Sequence, residues 1–270
     1  RRRSQSKSKK SMSDKVAMAI SAHPDDIEFY MAGTMLLLSG AGYDLHYLTI
    51  ANGGCGGTQH DAVTIARTRA AEAIRAAEIL GATFHPSFCN DLEIVYDLNL
   101  LRQLAAIIRE VKPGIILTHP PVDYMEDHTF TCRLVVTAAF AREMPNFMTT
   151  PARKPYSADV TIYHATPHGL TDPLRRLMVP ELFVNTEDVH NRKCEALAAH
   201  KSQAAWLETS QGANSLVSML DAFSSKVGEL SGRFRHAEGW WRHSHLGFCR
   251  EDVDPLRETL GSLTTTLEDP

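Results

Sequence analysis

The sequence lacks long apolar runs, paired cysteines and nucleotide-binding glycine patterns, and each absence excludes a class of protein. No uninterrupted apolar stretch approaches the roughly 20 residues of a spanning helix, so no membrane partner is expected. The basic start is not followed by an apolar core, so no signal peptide is read there. The five cysteines, Cys55, Cys89, Cys132, Cys194 and Cys249, are odd in number, widely spaced and form no CxxC pair. That argues against a disulfide framework or a cysteine zinc site, and a reducing cytoplasm fits best. Neither GxGxxG nor GKS/GKT occurs, and the glycine-rich stretch Asn52 to Gly57 does not have the spacing that cradles a phosphate.

What is present is ordinary globular composition, 43% hydrophobic and 22% charged over 270 residues, enough for a sizeable core. The formal charge of −4 is uneven. Arg1, Arg2, Arg3, Lys7, Lys9 and Lys10 crowd the start; setting these six aside leaves 22 basic against 32 acidic residues, a body charge of −10. Such a body repels phosphate backbones, so no nucleic acid is expected on the folded part. Residues 1–14 read as a disordered basic tail or an expression remnant, and residues 15–270 as a single domain.

Hydrophobic periodicity gives strands over Val16 to Ala22, Asp44 to Ala51, Thr83 to Cys89, Ile115 to His119, Val160 to Ala165 and Glu181 to Asn185. Helices fall between them: from Asp26 to about Ser39, Ala62 to Leu80, Leu98 to Val111, His128 to Ala141 and Asp188 to Trp206. Asp97 can cap the third of these, and Gly81 stops the second. Strands alternating with helices predict an α/β fold: a mostly parallel sheet, helices on both faces and a C-terminal elaboration.

In such sheets ligands bind where loops leave the C-terminal ends of strands. The first such loop is His23-Pro24-Asp25-Asp26, whose carboxylates would repel a pyrophosphate. An imidazole and a carboxylate suit zinc, which needs a third protein ligand and an open water position. The loop after the fourth strand, His119 to His128, brings acids and histidines to the same sheet edge.

These residues resemble the PIG-L/LmbE-like deacetylases. The likeness rests on Ala22-His23-Pro24-Asp25-Asp26-Ile27-Glu28 with Gly33-Thr34, then Arg69-Ala70-Ala71-Glu72, Ala77-Glu78-Ile79-Leu80-Gly81, Asp91, Asp127-His128 and Ala199-His200-Lys201-Ser202-Gln203. It implies a Rossmann-like fold, Zn2+ or another divalent metal on His23, Asp26 and His128, and Asp25 as general base. It also implies substrate contacts from Arg69 and Asp91, and an N-acetylated amino sugar as substrate. Zinc lowers the pKa of bound water from about 15.7 towards 7. Attack by that water on the amide, with Asp25 carrying its proton to the leaving amine, would release acetate. Oligomers are common in the family, which leaves a homo-oligomer open.

One departure stands out. Family members often carry a histidine three positions before the last metal-binding histidine, and here that position is Met125, which cannot donate a proton. Tyr124, His200, His243 and His245 are substitutes by residue type, and His245 is expected to fold back over the site. Structural roles compete throughout. Asp25 or Asp26 can cap a helix, Arg69 can pair with Glu72 on the surface, Asp91 can be a turn residue, and Trp240 and Trp241 can be core rather than sugar platforms. Rival functions are an amidase acting on a thiol conjugate and a catalytically idle metal- or carbohydrate-binding protein.

Overall fold

The computed structural model describes residues 15–57, 60–211 and 215–269; the basic tail lies outside them. β1 (Val16–Ser21) is flanked in parallel by β2 (Asp44–Thr49) and β4 (Ile115–Thr118). β3 (Ala82–His85) continues the parallel run beyond β2, and β5 (Thr161–Ala165) continues it beyond β4. β7 (Ala237–Arg242) then pairs antiparallel with β5, β6 (Leu182–Asn185) with β7, and β8 (Thr264–Thr265) with β6. The order β3-β2-β1-β4-β5-β7-β6-β8 is the expected mostly parallel sheet. The late strand β7 inserted between β5 and β6 was not foreseen.

Alternation along β1 divides the core. Ala17 and Ala19 face one apolar layer with Ile27, Met35 and Leu38; Met18 and Ile20 face another with Leu104, Ile108 and Val135. Helices therefore cover both faces, and burying a side chain such as Leu38 stabilises by about 1.5–3 kcal/mol. Among the described residues, no helix is long and apolar enough to cross a membrane.

Caps explain several helix ends. α3 (Ala62–Leu80) starts where the Asp61 carboxylate accepts the Thr64 N–H and stops at Gly81, φ 72°. α4 (Leu98–Val111) is capped by Asp97, which accepts from Asn99 and Leu100.

Two expected helices are broken by distant partners. The first divides at Met31 into α1 (Asp26–Tyr30) and α2 (Ala32–Gly40). The freed N–H groups of Gly33 and Thr34 donate to the buried Glu238 carboxylate at 2.7 and 2.8 Å, and Lys193 Nζ neutralises it at 2.7 Å. Gly33 is needed there, since a Cβ would collide with Thr186 and with Glu238 itself. The last predicted helix divides into α6 (His190–Leu197) and α7 (Lys201–Gln211). Glu72 on α3 accepts both the N–H and the hydroxyl of Ser202, starting α7 afresh. α5 (Glu126–Phe140) begins two residues earlier than expected. α8 (Leu216–Ser231) and α9 (Pro255–Leu260) complete the C-terminal elaboration.

Candidate active site

The strand order reverses at β1, whose neighbours are β2 on one side and β4 on the other. A crevice opens at such a point, beyond the C-terminal strand ends. The loops leaving β1 and β4 bring His23, Asp26 and His128 together there, all buried, each offering one donor atom within 4.8 Å of the others.

The imidazole orientations follow from carboxylates behind them. His23 Nε2 lies 2.9 Å from Asp127 Oδ2, which also accepts the Leu92 N–H at 2.8 Å. That leaves His23 Nδ1 facing Asp26 Oδ2 at 3.5 Å. His128 Nδ1 lies 3.1 Å from Asp123 Oδ1, which leaves Nε2 facing Asp26 Oδ1 at 3.4 Å. Carboxylates on the far nitrogens are the usual support of metal-binding histidines. Burial alone would lower both imidazoles. Asp127 and Asp26 instead raise His23 to about 9, and Asp26 and Asp123 raise His128 to about 10. Burial would raise the Asp26 carboxyl, yet His128 and His119 pull it well below the usual carboxylate range. Two imidazoles and an ionised carboxylate, with inner donor atoms turned to one point and acids in excess around them, fit a divalent cation.

His119 is next to this group. Its Nε2 lies 3.0 Å from the Ala22 nitrogen and 3.2 Å from Asp26 Oδ2, and its ring stacks on His128 at 3.9 Å. It thus contacts both Asp26 and His128.

Asp25 precedes α1 with φ 102° and ψ −25°, a left-handed conformation that costs a residue with a side chain about 1–3 kcal/mol. Burial pushes its carboxyl up to about 6, against the pull of Arg69. Arg69 is not the surface residue that competed for its role: it is 3% exposed, its Nη2 lies 3.5 Å from Asp25, and it donates to Pro24 O and Gly53 O. Asp91 is also buried, and its two oxygens accept the Gly53 and Cys55 N–H groups at 2.7 and 2.9 Å. It thereby braces the glycine-rich loop, although it also lines the cavity.

That cavity measures about 390 Å³ and has the cluster at one wall. Phe29, Tyr30, Trp206, Leu207, Leu216 and Met219 form apolar walls, and Tyr124, Met125 and His168 complete the rim near His128. His245 is not brought to it; its carbonyl caps the Phe248 and Cys249 N–H groups. His243 pairs with His164, 2.9 Å between ring nitrogens, and His200 is buried against Glu28 at 3.3 Å. Trp240 is core, its indole N–H donating to Thr34. His168 was missed by sequence reasoning. It follows β5, its ring lies against Phe29 and Phe223, and burial lowers its pKa so that it is neutral near pH 7. Its position just past a parallel strand end was the one available signal.

Fold and cluster define a class: an α/β protein of Rossmann-like topology with a His/Asp metal-type site at its switch point. Residues 18–139 match the model of the GlcNAc-PI de-N-acetylase family, PIG-L. The diacetylchitobiose deacetylase of Thermococcus kodakarensis is 29% identical over 198 residues, 70% of each chain. The 4-oxalmesaconate hydratase of Pseudomonas putida is 27% identical over 197 residues, 70% of this chain and 74% of that one. Among solved structures, N,N'-diacetylchitobiose deacetylase from Pyrococcus horikoshii, complexed with its inhibitor MPG, superposes with a TM-score of 0.72 at 25% identity. The match covers 86% of this chain and 85% of that one.

Proposed function

We propose that the chain is a metal-dependent hydrolase that removes the acetyl group from an N-acetylated amino sugar or its glycoside. Zinc, or another divalent metal, is held by His23, Asp26 and His128. The observation that carries this reading is the convergence of these three donors on one cavity wall, two of them braced by Asp127 and Asp123, with Asp25 beside them. When bound, the metal acidifies water and takes up charge developing on the amide oxygen.

The chain's own groups supply the rest. Asp25 takes a proton from water and returns it to the leaving amine, and a carboxyl raised to about 6 suits both steps near neutral pH. Arg69 holds Asp25 in place. His168, neutral and facing the cavity, donates to the amide oxygen from the rim that Met125 leaves without a donor. The sugar lies along the aromatic wall of Phe29, Tyr30 and Trp206. The free, scattered cysteines fit a cytoplasmic setting.

A second reading, addition of water to an unsaturated polycarboxylic acid, is favoured by the hydratase relative and by Met125. The cavity opposes it. Among the described residues Arg69 is its one lining arginine or lysine, and Asp25 already claims that charge. Acetate release from a panel of N-acetylated sugars with zinc present separates the readings. We expect release from at least one sugar and its loss in Asp25→Asn. Turnover of a polycarboxylic acid with no acetate from any sugar would reject the deacetylase.

A further inference from the structure

A second group of metal-type donors lies away from this cavity. His190 opens α6, Cys194 follows one turn later on the same face, Asp221 projects from α8, and His236 immediately precedes β7. His190 Nε2 and His236 Nε2 stand 3.0 and 3.2 Å from the same oxygen, Asp221 Oδ1. Cys194 Sγ is 3.5 Å from His190 Nε2. A tetrahedral zinc with nitrogen and oxygen donors at about 2.0–2.2 Å and sulfur at about 2.3 Å spaces its donors roughly 3.3–3.6 Å apart. The Asp221 distances to both imidazoles and the Cys194–His190 distance are close to those edges, and the donor atoms of His190, Asp221 and His236 all lie within 4.8 Å of one another. From this we infer that His190, Asp221 and His236 form the core of a second, structural zinc site, which Cys194 beside His190 closes as fourth ligand when the metal binds.

The arrangement suits such a role. Both imidazoles are 6% exposed, whereas the Asp221 side chain is 58% exposed, so an ion reaches the site from solvent through the carboxylate. The two rings are stacked 3.9 Å apart and nearly parallel, at 4°. Lone pairs in parallel planes do not meet, so each ring must turn about its Cβ–Cγ bond to bind. Nε2 lies close to that axis, and the turn re-aims the lone pair while moving the donor atom little. Mixed nitrogen, sulfur and oxygen donors select zinc over magnesium or calcium. The bound ion would tie α8 and the start of β7 to α6, joining the C-terminal elaboration to the helix that carries Lys193. Local cysteine spacing had argued against any cysteine zinc site, but these donors are assembled by the fold across 47 positions, His190 to His236.

The test loads purified full-length chain with zinc, removes excess by gel filtration and counts metal by mass spectrometry. Asp26→Asn silences the first cluster, so the result does not depend on the proposed function. We expect one zinc per chain in D26N, none in D26N/H236Q, and a Tm raised by roughly 5 °C at about 100-fold excess over Kd in D26N alone. No zinc in a folded D26N chain overturns the site. Should D26N fail to fold, cobalt(II) in the otherwise unchanged chain decides. A thiolate-to-cobalt charge-transfer band that disappears in Cys194→Ser supports the site; its absence from the parent chain, or its survival in C194S, overturns it.

Discussion

A carboxylate can serve as a base in a buried site only if something keeps it in place and partly ionised. At Asp25 the left-handed backbone aims the side chain, and Arg69 opposes the burial that raises its carboxyl to about 6. Replacing it by Asn preserves shape and removes the base, so Asp25→Asn should lower kcat by about 10²–10⁴-fold with metal content unchanged. Steady-state kinetics beside metal analysis check this, and a kcat within twofold of the parent would remove Asp25 from the reaction. His168 makes a different demand. If it donates to the amide oxygen, His168→Ala should cost about 10²–10³-fold in kcat with little change in KM; a loss confined to KM would make it a wall of the cavity. His23 and Asp26 were legible in the sequence because they share one four-residue string at a strand end. Asp123 and Asp127 were not, since their role is to hold nitrogens of His128 and His23, and the His23 partner lies 104 positions away. His168 carries no motif, and only the end of β5 places it.

Elements were legible wherever their limits are local. Gly81 marks the end of α3 by its backbone and Asp97 the start of α4 by its side chain. The breaks at Met31 and before Lys201 were illegible, because Glu238 and Glu72 make them from far along the chain. The Glu238 cap also gives the clearest stability prediction. Lys193 and Glu238 are fully buried, 0% exposed in their side chains, so removing the cation leaves a buried carboxylate with only the two α2 N–H groups. Breaking such a pair typically costs about 3–5 kcal/mol. Lys193→Met should destabilise by about 3 kcal/mol in urea unfolding, and adding Glu238→Gln should recover part of the loss. If the double variant is less stable than the sum of the singles, the pair is not acting as a neutralised cap.

For the whole molecule, the parallel half followed from alternating strands and helices, whereas β7 could not be placed. It joins β5 and β6 through antiparallel pairings that no local pattern encodes. The same sheet sets a pH response at its far end. His46 on β2 and His85 on β3 meet nitrogen to nitrogen, Nδ1 to Nε2, at 2.8 Å; burial lowers both, with Asp44 opposing at His46 and the His46 ring adding to the shift at His85. A folded pKa below the unfolded value near 6.5 means that the unfolded chain takes up the proton more readily. The pair's contribution is therefore fully present above about pH 6.5 and declines as pH falls through that value. His23, His128 and His200 are raised and act in the opposite sense, so the parent profile alone does not isolate the pair. A difference does. The Tm advantage of the parent chain over His85→Asn should shrink between about pH 7 and pH 5. A constant or growing advantage would mean that the two rings share a proton comfortably, and that burial at this sheet edge does not control their charge.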